Sequence, residues 1–522
     1  MTAALIAAAA GGFLLSLSFP PTSLTFAAWI AFIPLFWALH RKPGMQHAAV
    51  CGFAFGAAFF LVDVNWVYRT LVMHGHFGTI PALAVFLGMV VSLAFIPAAF
   101  GLVLAFFAKN GLKIAVAAPF VWVALEYVRA VIFTGFPWDL TGYSQIGRLM
   151  VVQIADLTGV YGISFLVVLV NGGLWELLKG NSGGTAGSKR FFARLSAPKL
   201  PEVTALILVA ALIYGHERIK TFPVTNDDAG NCSVAVLQGN IPQEIKWEEA
   251  ARDYTFRTYE NLAEQAVNEK AGLLVWPETA IPVLFSGRDE ESRRAAEISE
   301  RLGVPMLVGA PSGKNVAGTT RYFNSAFLVD GRMLRYRYDK MHLVPFGEYM
   351  PLTWLLPLGP GLAAREEDYS PGQTMSVMHV KGCPAFSVLI CYEAIFPELA
   401  RLAVRNGAAM LLNITNDGWF GATAAPYQHL VMAGMRSIEN RIWLVRCANT
   451  GISAAFDPAG RIVRSLPLEQ KGFFVVQVPS SSHPGSFYGR FGDVFAWGCL
   501  AGVAVLFLWV ILIIRPRRTT GR

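Results

Sequence analysis

The sequence predicts a multi-pass membrane protein with eight transmembrane helices and one α/β layer domain held outside the cytoplasm. Three observations predict it. Hydrophobic residues fill 54% of 522 positions and charged residues 15%; seven or eight apolar stretches recur; and one polar block interrupts them. A soluble domain carries about 25% charged residues, so this composition excludes one. Mean hydropathy is +0.45. The net charge of +8 comes from short basic clusters between apolar stretches, a pattern that orients a chain in a bilayer and does not build a nucleic-acid face.

About 20 apolar residues cross a hydrocarbon core. Spans are expected near 3–19, 23–39, 47–68, 80–107, 113–133, 151–178 and 494–514, with a shorter one near 202–216. Basic residues mark every second connection: Arg41 and Lys42; Lys109 and Lys113; Lys179, Lys189, Arg190, Arg194 and Lys199; and Arg515, Arg517, Arg518 and Arg522. Basic loops face the cytoplasm. Only if 202–216 spans do all these loops agree, which gives eight spans, both termini inside and an extracytoplasmic block. The first stretch lacks a basic leader region, so it reads as an anchor and not a cleaved signal. Asp63, Glu126 and Arg129 lie in or at the ends of spans, where charge is costly and is usually paired. Glu126 and Arg129, three apart, are expected to pair on one helix face. The resulting division is 1–220 for seven spans, 221–490 for the block, and 491–522 for the eighth span and tail.

Within the block, short β-rich runs alternate with helical ones, the pattern of an α/β layer fold. Strands are expected at 232–237, 273–276, 306–308, 325–329, 334–338, 376–380, 386–390, 410–414, 443–447 and 473–478, and helices near 248–268, 289–301, 396–406 and 427–441. In such folds chemistry gathers where strands end, because side chains there are exposed while the backbone is rigid. Glu278 follows Leu-Leu-Val-Trp-Pro, Lys340 follows Leu-Arg-Tyr-Arg-Tyr-Asp, and Cys391 follows Phe-Ser-Val-Leu-Ile.

Taken singly these residues say little: a cysteine closing an apolar strand is usually a small core residue, and a loop Glu or Lys is usually solvated. Together they complement one another. The thiolate is the attacking form of cysteine, and moving a proton from a thiol to a carboxylate is uphill by roughly 6 kcal/mol at ordinary pKa values. Burial of the acid and a neighbouring ammonium both reduce that gap, and the ammonium also steadies a developing oxyanion. Glu278 is thus the expected general base, Cys391 the nucleophile and Lys340 the electrostatic stabiliser. Six cysteines are present, four of them (Cys232, Cys383, Cys391 and Cys447) in the block. An oxidising compartment permits pairing, but this chemistry requires Cys391 to be free. His342 and His429 show no metal-ligand spacing, and no metal, cofactor or nucleic acid is expected.

The motifs around these residues extend further. They are Gln238-Gly-Asn-Ile-Pro-Gln with Lys246 and Trp247, Trp276-Pro-Glu-Thr, Lys340 with His342-Leu-Val-Pro-Phe-Gly-Glu348, Cys391-Tyr-Glu393, Asn416-Asp-Gly-Trp-Phe-Gly421, and in the apolar part Glu126 to Arg129 with Thr134-Gly-Phe-Pro-Trp138. This set resembles the carbon-nitrogen hydrolase (nitrilase) superfamily and, given the membrane setting, its apolipoprotein N-acyltransferase family. The resemblance covers most of the chain. It implies an α-β-β-α sandwich, a Glu278-Lys340-Cys391 triad, Glu348, Tyr392 and Glu393 as supporting residues, and Trp247 and Trp419 at the substrate site. It further implies a ping-pong reaction in the bacterial inner membrane with the catalytic domain in the periplasm. A phospholipid, expected to be phosphatidylethanolamine, would give an acyl chain to Cys391, which would pass it to the α-amino group of an S-diacylglyceryl cysteine on an apolipoprotein. Two other readings are a membrane-tethered amidase or nitrilase acting on small amides, and a transporter or scaffold with a degenerate external domain. The apolar segment from Tyr349 to Pro371, with Trp354, Leu355 and Leu356, is expected to act as a lid that dips into the outer leaflet.

Overall fold

The computed structural model describes residues 1–75, 77–180, 199–222, 231–316, 318–350, 368–480 and 485–514. Most of the expected lid, including Trp354, Leu355 and Leu356, lies outside the described residues, as do Lys189, Arg190, Arg194 and the basic tail. The chain divides into two compact units, one of Met1–Asn65, Leu83–Thr221 and Phe491–Arg522, the other of Trp66–Ala82 and Phe222–Arg490.

Six described helices are long and apolar enough to cross a membrane: Met45–Asp63, Thr79–Lys109, Ile114–Val131, Val160–Lys179, Leu200–Lys220 and Val494–Leu512. The stretch expected only as 202–216 is therefore a helix of 21 residues. Its first turn is capped by the Glu202 carboxylate, which accepts the Lys199 N–H, and a proline there needs no hydrogen-bond donor. Three other expectations change. The stretch at 23–39 is a 3-10 turn, Thr25–Trp29, and a separate helix, Ile33–Arg41. The stretch at 47–68 ends at Asp63, and a short helix, Trp66–Met73, follows. The stretch at 151–178 begins only at Val160, because Gly159, at a φ of 64°, breaks it from the one-turn pieces Leu149–Val152 and Ala155–Thr158.

Small residues let these apolar helices approach closely. A Cβ on Gly12 would stand 1.9 Å from the Phe55 carbonyl oxygen, and one on Gly52 would stand 2.1 Å from that of Pro97. Glu126 and Arg129 each also reach the segment after their helix. Glu126 Oε1 accepts the Thr141 N–H at 2.7 Å, and Arg129 Nη1 donates to the Trp138 carbonyl at 2.9 Å. A buried backbone turn needs its polar groups satisfied in this way.

The second unit holds two sheets. Strands β1 (Asn231–Gln238), β2 (Leu273–Val275), β3 (Met306–Val316), β4 (Thr319–Asp330), β5 (Met333–Asp339) and β11 (Gly472–Pro479) form one, in the order β11-β1-β2-β3-β4-β5. Strands β6 (Phe386–Ile390), β7 (Met410–Thr415), β8 (Trp443–Ala448), β9 (Ser453–Phe456) and β10 (Ile462–Leu466) form the other, in the order β10-β9-β8-β7-β6. β1, β2 and β3 run parallel, as do β6, β7 and β8. The sheets face each other: Cys447 on β8 places its Sγ 3.4 Å from the Leu237 carbonyl oxygen and 3.2 Å from that of Val275. Helices Arg252–Asn268 and Glu290–Leu302 cover the outer face of the first sheet, and Pro397–Arg405 and Ala425–Asn440 that of the second, an α-β-β-α sandwich. Local chemistry sets these boundaries. Asp289 caps Glu290–Leu302 by accepting the Ser292 N–H, and Gly303, at a φ of 66°, ends it.

Most expected strands are present, and β3 and β4 are longer because they pair as an antiparallel hairpin along their whole length. Residues 376–380 do not form a strand; only an isolated bridge joins Met378 to Phe386. β9 and β10 escape the sequence reading: Ser-Ala-Ala-Phe in β9 has weak strand character and pairs beside β8, and β10 is a short run that pairs with β9.

Candidate active site

Glu278, Lys340 and Cys391 come from different strand ends and meet in the second unit. Each is nearly sealed from solvent, with Glu278 6%, Lys340 1% and Cys391 7% exposed. Lys340 Nζ lies 2.8 Å from Glu348 Oε2 and 3.8 Å from Glu278 Oε1. Asn324 Nδ2, on β4, bridges the two acids by donating to Glu278 Oε1 at 2.7 Å and Glu348 Oε1 at 2.8 Å. The second Glu278 oxygen accepts the Asn416 backbone N–H at 2.8 Å. Both oxygens of the acid are therefore aimed.

Burial opposes charge on Lys340, but the carboxylates of Glu348 and Glu278 outweigh it and hold the ammonium above its ordinary range. Burial likewise opposes charge on Glu348, yet Lys340 and the surrounding donors keep it below the usual carboxylate value. The Cys391 thiol goes the other way: burial and the Glu278 charge push it up, and Lys340 only partly compensates. The resting sulfur is a thiol in electrostatic reach of one cation, Lys340, and two acids, Glu278 and Asp417. It needs a base at the moment of attack.

Cys391 closes β6 with a φ of 53° and opens the 3-10 turn Cys391–Ile395. A side chain in this left-handed region costs of order 1–3 kcal/mol and persists where its surroundings enforce it. Glu393 supplies part of that enforcement. Its Oε2 accepts the Ile390 N–H at 2.7 Å, while its Oε1 accepts from the Tyr338 hydroxyl at 2.8 Å, Met341 N at 2.7 Å and His342 N at 3.1 Å. Burial raises Glu393 to about 7 against the pull of these donors and Lys340. One carboxylate thus ties the chain after Lys340 to the chain around Cys391. Tyr392 is buried and packs edge-on against Phe396, its ring 5.9 Å from that of His342.

Trp247 is 42% exposed and follows Lys246, which is buried at the acid. Trp419 sits in the 3-10 turn Asp417–Phe420, its ring 5.6 Å from that of His74. The structure thus gathers the triad with Glu348, Tyr392 and Glu393, while the two tryptophans occupy separate turns. Sequence reasoning gave no role to Asn324 or Lys246. Lys246 Nζ donates to the Glu278 carbonyl at 3.1 Å and to Thr279 Oγ1 at 2.7 Å, fixing the backbone of the acid. Asn324 carried one usable signal, a polar amide in the middle of a buried strand, since such groups are almost always hydrogen-bonded to something.

Cys232 and Cys383 form a disulfide, and Cys391 and Cys447 are free. The bond ties β1 to the chain leading into β6. Disulfides persist in oxidising compartments.

The apolipoprotein N-acyltransferase N-terminal domain matches residues 11–173, and carbon-nitrogen hydrolase matches residues 233–483. The apolipoprotein N-acyltransferase of Geobacter metallireducens is 39% identical over 95% of this chain and 93% of its own. Those of Rhodopseudomonas palustris (32% identical, 98% of this chain and 95% of that one) and Bradyrhizobium diazoefficiens (34%, 99% and 96%) are similar over nearly their whole length. With both domains matched and full-length relatives above 30% identity, the chain belongs to the apolipoprotein N-acyltransferase family of enzymes.

Proposed function

We propose that this enzyme moves an acyl chain from a phospholipid to the N-terminal amine of a diacylglyceryl apolipoprotein by way of a thioester on Cys391. The convergence of Glu278, Lys340 and a free, buried Cys391 carries this reading. As Sγ attacks the ester carbonyl carbon, Glu278 takes the thiol proton and Lys340 steadies the oxyanion. The ester C–O bond breaks, the lysophospholipid leaves with that proton, and the acyl group stays on sulfur. The α-amino nitrogen of the second substrate then attacks the thioester, Glu278 takes an amine proton, and the C–S bond breaks to return the thiol. Splitting ester-to-amide exchange in this way replaces one hard step by two easier ones. Water has to be kept from the thioester between them.

Glu348 holds Lys340 at 2.8 Å alongside its longer contact with Glu278, and Glu393 with Tyr392 holds the turn that presents Cys391. Trp247 and Trp419 serve the substrates. On the same reading the chain has eight spans, the six long helices with Thr2–Ser16 and the Thr25–Arg41 region, with both termini in the cytoplasm and residues 221–490 in the periplasm of a bacterial inner membrane. Two independent observations support that placement: the alternation of basic loops and the Cys232–Cys383 disulfide.

The test is incubation of the purified enzyme with acyl-labelled phosphatidylethanolamine, followed by mass analysis of its peptides. Label on the Cys391 peptide that is discharged by a diacylglyceryl cysteine peptide is the expected result. Release of free fatty acid alone would make the protein a hydrolase, and no reaction would leave a scaffold.

A further inference from the structure

The strained backbone at Cys391 is held from a second direction that the reaction scheme does not use. His429, 1% exposed on helix Ala425–Asn440, places Nε2 3.0 Å from the Cys391 carbonyl oxygen. Its Nδ1 lies 3.0 Å from Asp417 Oδ1 and 3.1 Å from Arg446 Nη2. Arg446 Nη2 donates to Asp417 Oδ2 at 2.6 Å, and its Nη1 donates to Asn413 Oδ1. Asn413 Nδ2 lies 3.5 Å from the same Cys391 carbonyl, so the network closes on the residue where it began.

Hydrogen-bond chemistry restricts the imidazole. A carbonyl oxygen only accepts, so Nε2 must carry a proton to sit beside it. Two states allow that: a neutral ring whose Nδ1 accepts from Arg446, or an imidazolium whose Nδ1 donates to Asp417. Burial and the Arg446 charge hold His429 below the ordinary histidine range against the pull of Asp417, which favours the neutral ring. Both states put the same N–H on the Cys391 carbonyl.

We propose that His429 is a positioning residue whose Nε2–H pins the Cys391 carbonyl, with Asp417 and Arg446 fixing the ring, so that the left-handed backbone aims Sγ at the acyl donor. The inference rests on the reading of Cys391 as the acylated residue. It separates the two imidazole nitrogens: a glutamine side chain can put its amide N–H where Nε2 was, whereas asparagine reaches only the Nδ1 position.

The experiment compares full-length wild type, His429→Gln and His429→Asn in phosphatidylethanolamine vesicles. The rate of acyl-enzyme formation is followed by quenched intact mass and the fold by thermal midpoint. His429→Asn is expected to lose on the order of 10²-fold in rate, with the donor KM within about twofold of wild type, and His429→Gln to recover most of the loss. Equal rates for the two variants, or a loss confined to KM, would overturn the proposal. Should His429→Asn not fold, Asp417→Asn, which loosens the ring while also removing a charge that opposes the Cys391 thiolate, is expected to slow acylation at unchanged KM; an unchanged or faster rate overturns it equally. If the wild type itself gains no acyl mass, the reading of Cys391 has failed. Iodoacetamide alkylation of Cys391, which needs no lipid, then tests His429 alone: slower reaction in the Asn than in the Gln variant supports it, and equal rates refute it.

Discussion

Glu348→Gln tests the electrostatics of the site with the smallest change in shape. The wild-type Lys340 ammonium is drawn in two directions, 2.8 Å from Glu348 and 3.8 Å from Glu278. Removing the Glu348 charge lets Nζ close on Glu278 by as much as the difference between those contacts. At an effective dielectric of about 20, shortening the Lys340–Glu278 contact strengthens their attraction from about 4.4 to about 5.9 kcal/mol. Proton transfer from the thiol to Glu278 then works against about 1.5 kcal/mol more, or roughly tenfold in rate. Gln keeps an acceptor for Asn324 and much of the packing, so the substrate site should be little changed. Single-turnover acyl-enzyme formation from labelled phosphatidylethanolamine, followed by intact mass, should slow about tenfold while donor KM moves by less than about twofold. Acylation within twofold of wild type, or a loss that appears only in KM, would refute the account of Lys340 as a cation shared between two acids.

The other expectations are as direct. Cys391→Ala should abolish the acyl mass increment while the thermal midpoint stays near that of wild type; a persisting increment would move the nucleophile elsewhere. On Gly309 of β3 a Cβ would stand 2.4 Å from the Pro277 carbonyl oxygen and 2.7 Å from Glu278 Cα, whereas on Gly313 of the same strand the nearest atom is 3.5 Å away. Gly309→Ala should therefore shift the acid and slow acylation at least tenfold, with Gly313→Ala as the near-neutral control. Cys232→Ser with Cys383→Ser opens a loop of 151 residues; the chain-entropy estimate is a loss of about 5 kcal/mol, read as a lower thermal midpoint with acylation retained in the protein that stays folded. Burial would raise Asp417, but the Arg446 guanidinium, 2.6 Å away, outweighs it and holds the group below its ordinary value. A depressed acid contributes stability above its unfolded pKa of about 3.9 and loses that contribution as pH falls through its folded value. The thermal midpoint should therefore drop below about pH 4 more steeply in wild type than in Asp417→Asn; equal slopes would contradict this.

Patterns that repeat along the chain were legible because they report on one element at a time. Apolar runs of about 20 residues located the membrane helices, the alternation of β-rich and helical runs located most elements of the sandwich, and strand-end positions marked Glu278, Lys340 and Cys391. β9 was not legible, since Ala454 and Ala455 have little strand preference of their own and pair with β8, and β10 is a short run whose only pairing partner among the described strands is β9. The break at Gly159 was hidden because apolar residues continue on both sides of it.

By itself the sequence determined that this is an apolar, multi-span protein with an α/β block, and that an acid, a lysine and a cysteine each stand at the end of a strand. Local composition and spacing carry that much, because hydrophobicity and strand period act between residues close along the chain. Only the tertiary structure decided which cysteines are bonded, that Glu348 competes for Lys340, that Asn324 and Lys246 hold the acid, and that His429 reaches the carbonyl of Cys391. These relations join residues up to 151 positions apart. They exist only because two sheets packed face to face bring their strand ends and following turns together, and burial makes each such contact costly to lose.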